Sequence, residues 1–145
     1  MSEPPDQAVP KVLFLCVGNS CRSQMAEAFA NRLGEGKLRA WSAGVHPLGW
    51  IAAETQAVMN ERGISLKTQW SKGIDDVPLA RMDLVVVMGR EVSCFLPGAF
   101  EGRLLEWNIS DPFGGSLDRY RATRDLIEEQ VKDLLARMES QNSEI

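Results

Sequence analysis

Apolar residues along the chain alternate between short, nearly continuous runs and longer stripes at helical spacing, and this alternation predicts a series of strand, loop and helix units. Lys11 to Val17 (KVLFLCV) is almost wholly apolar and rich in β-formers, as expected of a strand buried on both faces of a parallel sheet. Gly18, Asn19 and Ser20 break the run. From Ser23 onward, Met25, Ala28, Phe29 and Leu33 share one face of a predicted helix, which Gly34 and Gly36 close. Leu38 to Ala43 predicts a second strand, and Ile51 to Arg62 a helix with Ile51, Thr55, Val58 and Met59 turned inward and Gly63 as its stop. Asp83 to Met88 predicts a third buried strand and Arg103 to Trp107 a shorter fourth. A loop with Cys94 and Pro97-Gly98 lies between them. Leu117 to Met138 carries the longest stripe, with Tyr120, Leu126, Ile127, Val131, Leu134, Leu135 and Met138 on one face. Glu128–Lys132 and Asp133–Arg137 are spaced to pair on the outside.

This order, without internal repeat or linker, predicts a single-domain, doubly wound, four-stranded parallel sheet with helices on both faces. The domain spans residues 11–139, between flexible tails at 1–10 and 140–145. In such sheets ligands bind at the carboxyl ends of strands near the switch in strand order, where the loop after Val17 falls. Composition agrees with one folded unit: 145 residues, 44% apolar and 25% charged. No apolar run reaches the ~18–20 residues of a membrane span, and the amino terminus lacks the pattern of a signal peptide. With 16 Lys and Arg against 20 Asp and Glu, the net charge is −4. That balance argues against nucleic acid or an anionic membrane as a partner, so any bound anion must be held by a local set of donors. The three cysteines, Cys16, Cys21 and Cys94, have no paired metal-ligand spacing and fit reduced thiols in the cytoplasm. The one histidine, His46, precedes Pro47 and reads as a surface loop residue.

The chemistry concentrates in Cys16-Val17-Gly18-Asn19-Ser20-Cys21-Arg22-Ser23, a C-x5-R-S segment running from the first strand into the first helix. With Gly18 allowing φ > 0, so short a loop turns successive N–H groups inward as an anion nest at a helix amino terminus. Val17, Gly18, Asn19, Ser20 and Cys21 form the cup, sized for a tetrahedral oxyanion. Arg22 adds a planar fork that binds two oxygens and keeps its charge in a partly dry site. The same positive surroundings favour the thiolate of Cys16, a nucleophile at neutral pH. Ser23 is placed to donate a hydroxyl to that sulfur, and Asn19 to brace the loop. Cys21 reads either as packing or as a second thiol able to trap Cys16 as a disulfide. Asp111-Pro112 supplies a candidate proton donor for a leaving oxygen, and Phe113 and Trp50 are candidate walls for a substrate.

With FLC before this segment and QMAEAFA after it, the chain resembles the low-molecular-weight protein tyrosine phosphatases and their relatives, the thioredoxin-coupled arsenate reductases. Ser42-Ala43-Gly44, DLVVVM at 83–88 and Asp111-Pro112 extend the likeness from about Lys11 to Met138. The resemblance implies Cys16 as nucleophile, Arg22 as oxyanion binder, Ser23 as thiolate partner and Asp111 as general acid. CVGNSCRSQMAEAFA, the Trp107 to Pro112 stretch and Arg124 to Ile127 look more like the reductase branch, whose substrate, arsenate, mimics phosphate. Reduction by that branch implies further thiols and an external thiol reductant of the thioredoxin type, with no bound cofactor. A pair of cysteines follows the third strand in those reductases; Cys94 resembles the outer one, while Arg90 stands near the place of the first. Cys21 and Cys94 are therefore the candidate relay. Some reductases hold potassium with residues matching Asn19, Glu27 and Ser42, plus an acidic residue where Lys72 stands. Lys72 takes the place of that cation, so no metal is expected. Three readings follow: arsenate reductase, phosphatase of phosphotyrosine-like monoesters, and an inactive oxyanion-binding domain.

Overall fold

The computed structural model describes residues 9–93 and 102–143; Cys94 and the ends of both predicted tails lie outside them. Four strands form one parallel sheet: β1 (Lys11–Cys16), β2 (Arg39–Gly44), β3 (Leu84–Val87) and β4 (Arg103–Glu106), in spatial order β2-β1-β3-β4. The helices are α1 (Arg22–Leu33), α2 (Ala53–Asn60), α3 (Arg90–Ser93) and α4 (Leu117–Ser143). The chain steps outward from β1 to β2 and then crosses back to β3, so the switch in direction lies between β1 and β3. A crevice opens there at the strands' carboxyl ends.

Alternation along the strands sorts their side chains between two layers. Val12, Phe14, Leu84, Val86 and Met88 face a large core with Met25 and Phe29 of α1, Val58 and Met59 of α2, and Tyr120, Ile127 and Val131 of α4. Leu13, Leu15, Val85 and Val87 face a smaller one with Val77, Met82 and Val92. The three longer helices thus share one face. Two 3₁₀ turns (Ile74–Asp76 and Leu79–Arg81), α3 and their neighbouring residues supply the other cover. Neither 3₁₀ turn shows in the hydropathy pattern, because a three-residue turn is too short to express a period.

Two expectations change at α4. The helix continues to Ser143, through polar residues that the apolar stripe alone does not extend over. Leu126 is exposed, and Thr123 and Arg124 are buried in its stead. Arg124 is drawn in because its NH1 donates to the Val58 carbonyl (3.0 Å) and to Glu61 (2.6 Å), clamping α4 to the end of α2. The outside pairs form as spaced: Glu128–Lys132 at 3.8 Å and Asp133–Arg137 at 3.1 Å.

Candidate active site

The loop from Cys16 to Cys21 leaves β1 at the crevice and enters α1, and its shape follows from where its carbonyls point. The carbonyls of Cys16, Val17 and Gly18 accept from the N–H groups of Val45 (3.1 Å), His46 (2.9 Å) and Leu48 (3.0 Å). Those of Asn19 and Ser20 accept from Gln24 Nε2 (3.1 Å) and Thr55 Oγ1 (3.0 Å), and that of Cys21 from the helical Met25 N–H (3.1 Å). In a trans peptide the N–H lies opposite the C=O. Carbonyls held outward by flanking elements therefore turn the N–H groups of residues 17–22 toward the concavity, and the Asn19 N–H lies 3.3 Å from Cys16 Sγ.

The left-handed residue of this loop is Asn19, with φ +50°, and not Gly18. Asparagine tolerates that region better than other side chains, and here its amide is fully engaged. Nδ2 donates to Ser23 Oγ (2.7 Å) and Ser42 Oγ (2.9 Å), while Oδ1 accepts from Gln24 Nε2 (2.8 Å) and the Lys72 N–H (2.9 Å). Gly18 instead lies under Leu48, whose side chain stands 3.0 Å from where a Cβ would be. Gly44 closes the back of the loop. A Cβ there would meet Val17 O at 2.7 Å and Asn19 N at 2.9 Å, backbone atoms that cannot yield.

Cys16 Sγ and Ser23 Oγ are 2.8 Å apart. Since Ser23 already accepts from Asn19, its own proton is available to the sulfur. Arg22 is 2% exposed. Its NH1 donates to the carbonyls of Met88 and Ile109 (2.9 Å for the latter) and pairs with Glu91 (3.1 Å), so the ends of β3 and of the segment after β4 orient the guanidinium. Nε is buried without a partner, and NH2 stands 3.8 Å from Asp111 Oδ2. Asp111 bends over the cup in a turn where Oδ1 accepts the Phe113 N–H at 3.1 Å. Together Cys16, Val17, Gly18, Ser20, Cys21, Arg22, Leu48, Asp111 and Phe113 line a cavity of about 180 Å³.

Of the sequence candidates, this cavity gathers Cys16, Cys21, Arg22, Asp111 and Phe113, with Ser23 and Asn19 directly behind. Trp50 is not in its wall. It is 55% exposed and lines a neighbouring groove with Trp70 and Leu66, because the N–H of Leu48 is tied to Gly18 and brings Leu48 over the cup. Leu48 carries no motif and escapes a reading of the sequence, and Gly44 and Gln24 stand there only within stretches that carry the family likeness; the hydrogen bond of the Leu48 N–H to Gly18, the close approach of Gly44 to the loop and the bonds of Gln24 to Asn19 give them their places. His46 is exposed, as expected of a surface loop residue, and its N–H caps Val17. Cys21 is buried, its thiol 3.6 Å from Tyr120 Oη. Burial pushes that thiol up from its ordinary value, and hydrogen bonds with Thr55 and Tyr120 offset part of the rise.

Beside the loop, Lys72 Nζ lies among Trp70 O (3.1 Å), Glu27 Oε1 (3.4 Å) and Ser42 Oγ (3.4 Å). Two of the residues the resemblance assigns to potassium, Glu27 and Ser42, thus already face an ammonium held covalently, whose charge a separate metal ion would meet, while the third, Asn19, accepts from the Lys72 N–H instead. Among the described residues no helix is long and apolar enough to cross a membrane.

Strand order, crevice and cup together define a parallel α/β protein with a cysteine at the floor of a cup of inward-turned main-chain N–H groups. Comparison with known proteins makes the class specific. The chain belongs to the low molecular weight phosphotyrosine protein phosphatase family, which it matches over residues 11–144. It is 36% identical to the glutaredoxin arsenate reductase of Synechocystis sp. (strain ATCC 27184 / PCC 6803 / Kazusa), covering 88% of this chain and 98% of that relative. Among solved structures, an arsenate reductase in the phosphate binding state superposes with TM-score 0.81 at 35% identity, covering 90% of this chain and 99% of that one. The YwlE arginine phosphatase, as a mutant with a phosphorylated active-site serine, gives TM-score 0.82 at 27% identity over 89% and 95% of the two chains.

Proposed function

We propose that this protein is an arsenate reductase working through cysteine thiols, with Cys16 as the nucleophile. The observation that carries the reading is the unpartnered Nε of Arg22. NH1 is engaged by protein carbonyls and Glu91, while the buried Nε has no partner. A buried donor without a partner costs about 1–3 kcal/mol, which an oxyanion in the cup relieves. Relatives named arsenate reductase, matched at 35–36% identity, favour arsenate as that oxyanion.

In this mechanism the Cys16 thiolate, steadied by the Ser23 hydroxyl and the Asn19 N–H, attacks arsenic and forms an S–As bond. One arsenate hydroxyl takes a proton from Asp111, its As–O bond breaks, and it leaves as water. The loop amides and the Nε/NH2 edge of Arg22 hold the remaining oxygens. A second thiol then attacks the Cys16 sulfur. A disulfide forms, the S–As electron pair stays with arsenic, As(V) becomes As(III), and arsenite departs. A dithiol protein reduces the disulfide by exchange, either of the thioredoxin type or of the glutaredoxin type that the Synechocystis relative's name mentions. Cys94 is our second thiol. Cys21 lines the cavity wall, but burial raises its thiol above the ordinary value and leaves it a poor nucleophile. Such a relay runs in a reducing compartment, and we place the protein in the cytoplasm.

A second reading, hydrolysis of phosphate monoesters through a cysteinyl-phosphate, is favoured by Asp111, which faces the cup and would protonate an alkoxide or phenoxide leaving oxygen. One preparation distinguishes the two. Arsenate-dependent NADPH oxidation is measured through thioredoxin with its reductase, and separately through glutathione and glutaredoxin; hydrolysis of an aryl phosphate is measured alongside. A reductase gives flux in the first assays that Cys94→Ser stops and Cys21→Ser spares. Aryl phosphate turnover without arsenate-dependent flux establishes the phosphatase instead. An inactive oxyanion-binding domain shows neither.

A further inference from the structure

Two carboxylates pair with Arg22 among the described residues, and the reaction proposed above uses only one of them. Asp111 stands 3.8 Å from NH2 over the cup, whereas Glu91, from the first turn of α3, meets NH1 at 3.1 Å. Glu91 is not needed to aim the guanidinium. NH1 has two hydrogens, and the carbonyls of Met88 and Ile109 already accept from it, so Glu91 is a third acceptor for two protons. What Glu91 adds is charge. Its carboxylate reaches Arg22 by folding back over Gly89, where a Cβ would stand 2.5 Å from Oε1 and 2.6 Å from Oε2. Gly89, at φ +149°, leaves the carboxylate a seat that any other residue would fill. The Arg22 side chain is 2% exposed and that of Glu91 54%, so the pair joins a buried cation to the solvent edge of the site.

Among the described residues, Arg22 is the cationic side chain that lines the cup. A carboxylate on the third nitrogen of its guanidinium opposes the binding of an anion there, because its field reaches the ligand with the opposite sign. We propose that Glu91 is a specificity-determining residue that acts through the charge of Arg22: it lowers the affinity of the cup for tetrahedral dianions, arsenate and phosphate alike. Phosphate has the shape and charge of arsenate, so a stronger field adds no preference between them. It only keeps the cup filled for longer by whichever is more abundant. Attraction that is equal for a substrate and its transition state also adds nothing to turnover. Glu91 holds this uniform attraction down, while the loop amides and the Nε/NH2 edge remain to meet charge as it develops. Glu91 itself touches no reacting atom. The inference rests on the cup binding an oxyanion through Arg22, the reading given above.

The test is the dissociation constant of inorganic phosphate, measured by titration calorimetry on the full chain. Alongside it are read the steady-state constants for whichever substrate the protein turns over, arsenate or an aryl phosphate. Glu91→Gln keeps an acceptor for NH1 and removes the charge; Glu91→Ala removes both. Each is expected to bind phosphate about threefold more tightly than wild type at low salt, the usual size of a half-exposed ion pair. KM falls with it and kcat stays within about twofold, the pattern of uniform binding. In about 1 M sodium chloride, where the screening length is about 3 Å, variants and wild type converge. A residue that merely aims Arg22 gives the opposite pattern: Glu91→Ala binds phosphate more weakly, kcat falls, and salt does not remove the difference. Weaker or unchanged phosphate binding in Glu91→Gln overturns the proposal and leaves the oxyanion reading in place. If Glu91→Ala does not fold, Glu91→Gln decides by the same sign. A wild-type protein that binds no phosphate overturns the oxyanion reading and this inference with it.

Discussion

Arg22 shows how a single residue can be both a fixture of the fold and an instrument of the site. One nitrogen is bound by carbonyls that belong to distant segments, and on the opposite edge Nε has no partner, which under the proposed function is the edge that meets the oxyanion. Lysine would keep the charge and lose the fork. Arg22→Lys is expected to lower the turnover of arsenate by about a hundredfold or more, the usual consequence of removing a preorganised oxyanion donor, in the coupled NADPH assay. Gly44 makes an equally local demand of a different kind. With backbone atoms within 3.0 Å of a new Cβ, Gly44→Ala must push Val17 and Asn19 out of place. It is expected to cost about 1–3 kcal/mol in urea unfolding and to abolish phosphate protection of Cys16.

At the scale of elements, α4 is bound to α2 by a cluster of charge rather than by apolar contact alone. Glu61 accepts from Arg121 (2.8 Å) and Arg124 (2.6 Å), which hold its carboxyl at about 2, below its ordinary 4.5. A carboxyl depressed on folding stabilises the protein above its unfolded value and loses that contribution as pH falls through the folded one. The stability difference between wild type and Glu61→Gln is thus expected to be full at pH 7 and to shrink between about 4.5 and 2, as followed by thermal unfolding. Arg124 also explains why the stripe on α4 misleads at Leu126. A buried guanidinium with a carbonyl and a carboxylate to satisfy takes the inward position, and hydropathy alone cannot foresee its partners on α2.

For the whole molecule, an anion bound by a protein of net charge −4 depends on geometry close at hand, since the overall field opposes it. Under the proposed function inorganic phosphate is expected to bind the assembled cup alone, and so to stabilise the native state by mass action. At about a hundred times its Kd the gain is ~2.7 kcal/mol, or about 5–10 °C in Tm for a chain of this size. Arg22→Lys is expected to remove most of that shift in a thermal scan with phosphate against one with chloride. Loss of the shift in Trp50→Ala would place that side chain in the cup wall, contrary to the geometry described above.

Order of elements, parallel sheet and the C-x5-R-S cup were legible in the chain because each depends on contiguous residues: a strand, a short loop and a helix start leave little freedom to what lies between. Asp111 was legible as a candidate proton donor from its own stretch, and Lys72 as a residue with a part to play through the likeness to a family. Their actual partners were not, for Asp111 meets Arg22 of α1, and Lys72 meets Glu27 of α1 and Ser42 of β2, all far from them along the chain. Asn19 in place of Gly18 at the left-handed position, Leu48 in place of Trp50 in the wall, and the carbonyls of Met88 and Ile109 behind Arg22 were decided only when distant segments met. Local sequence determines which backbone shapes are available. The direction of a buried hydrogen bond depends on every donor and acceptor around it, and only the folded chain brings those together.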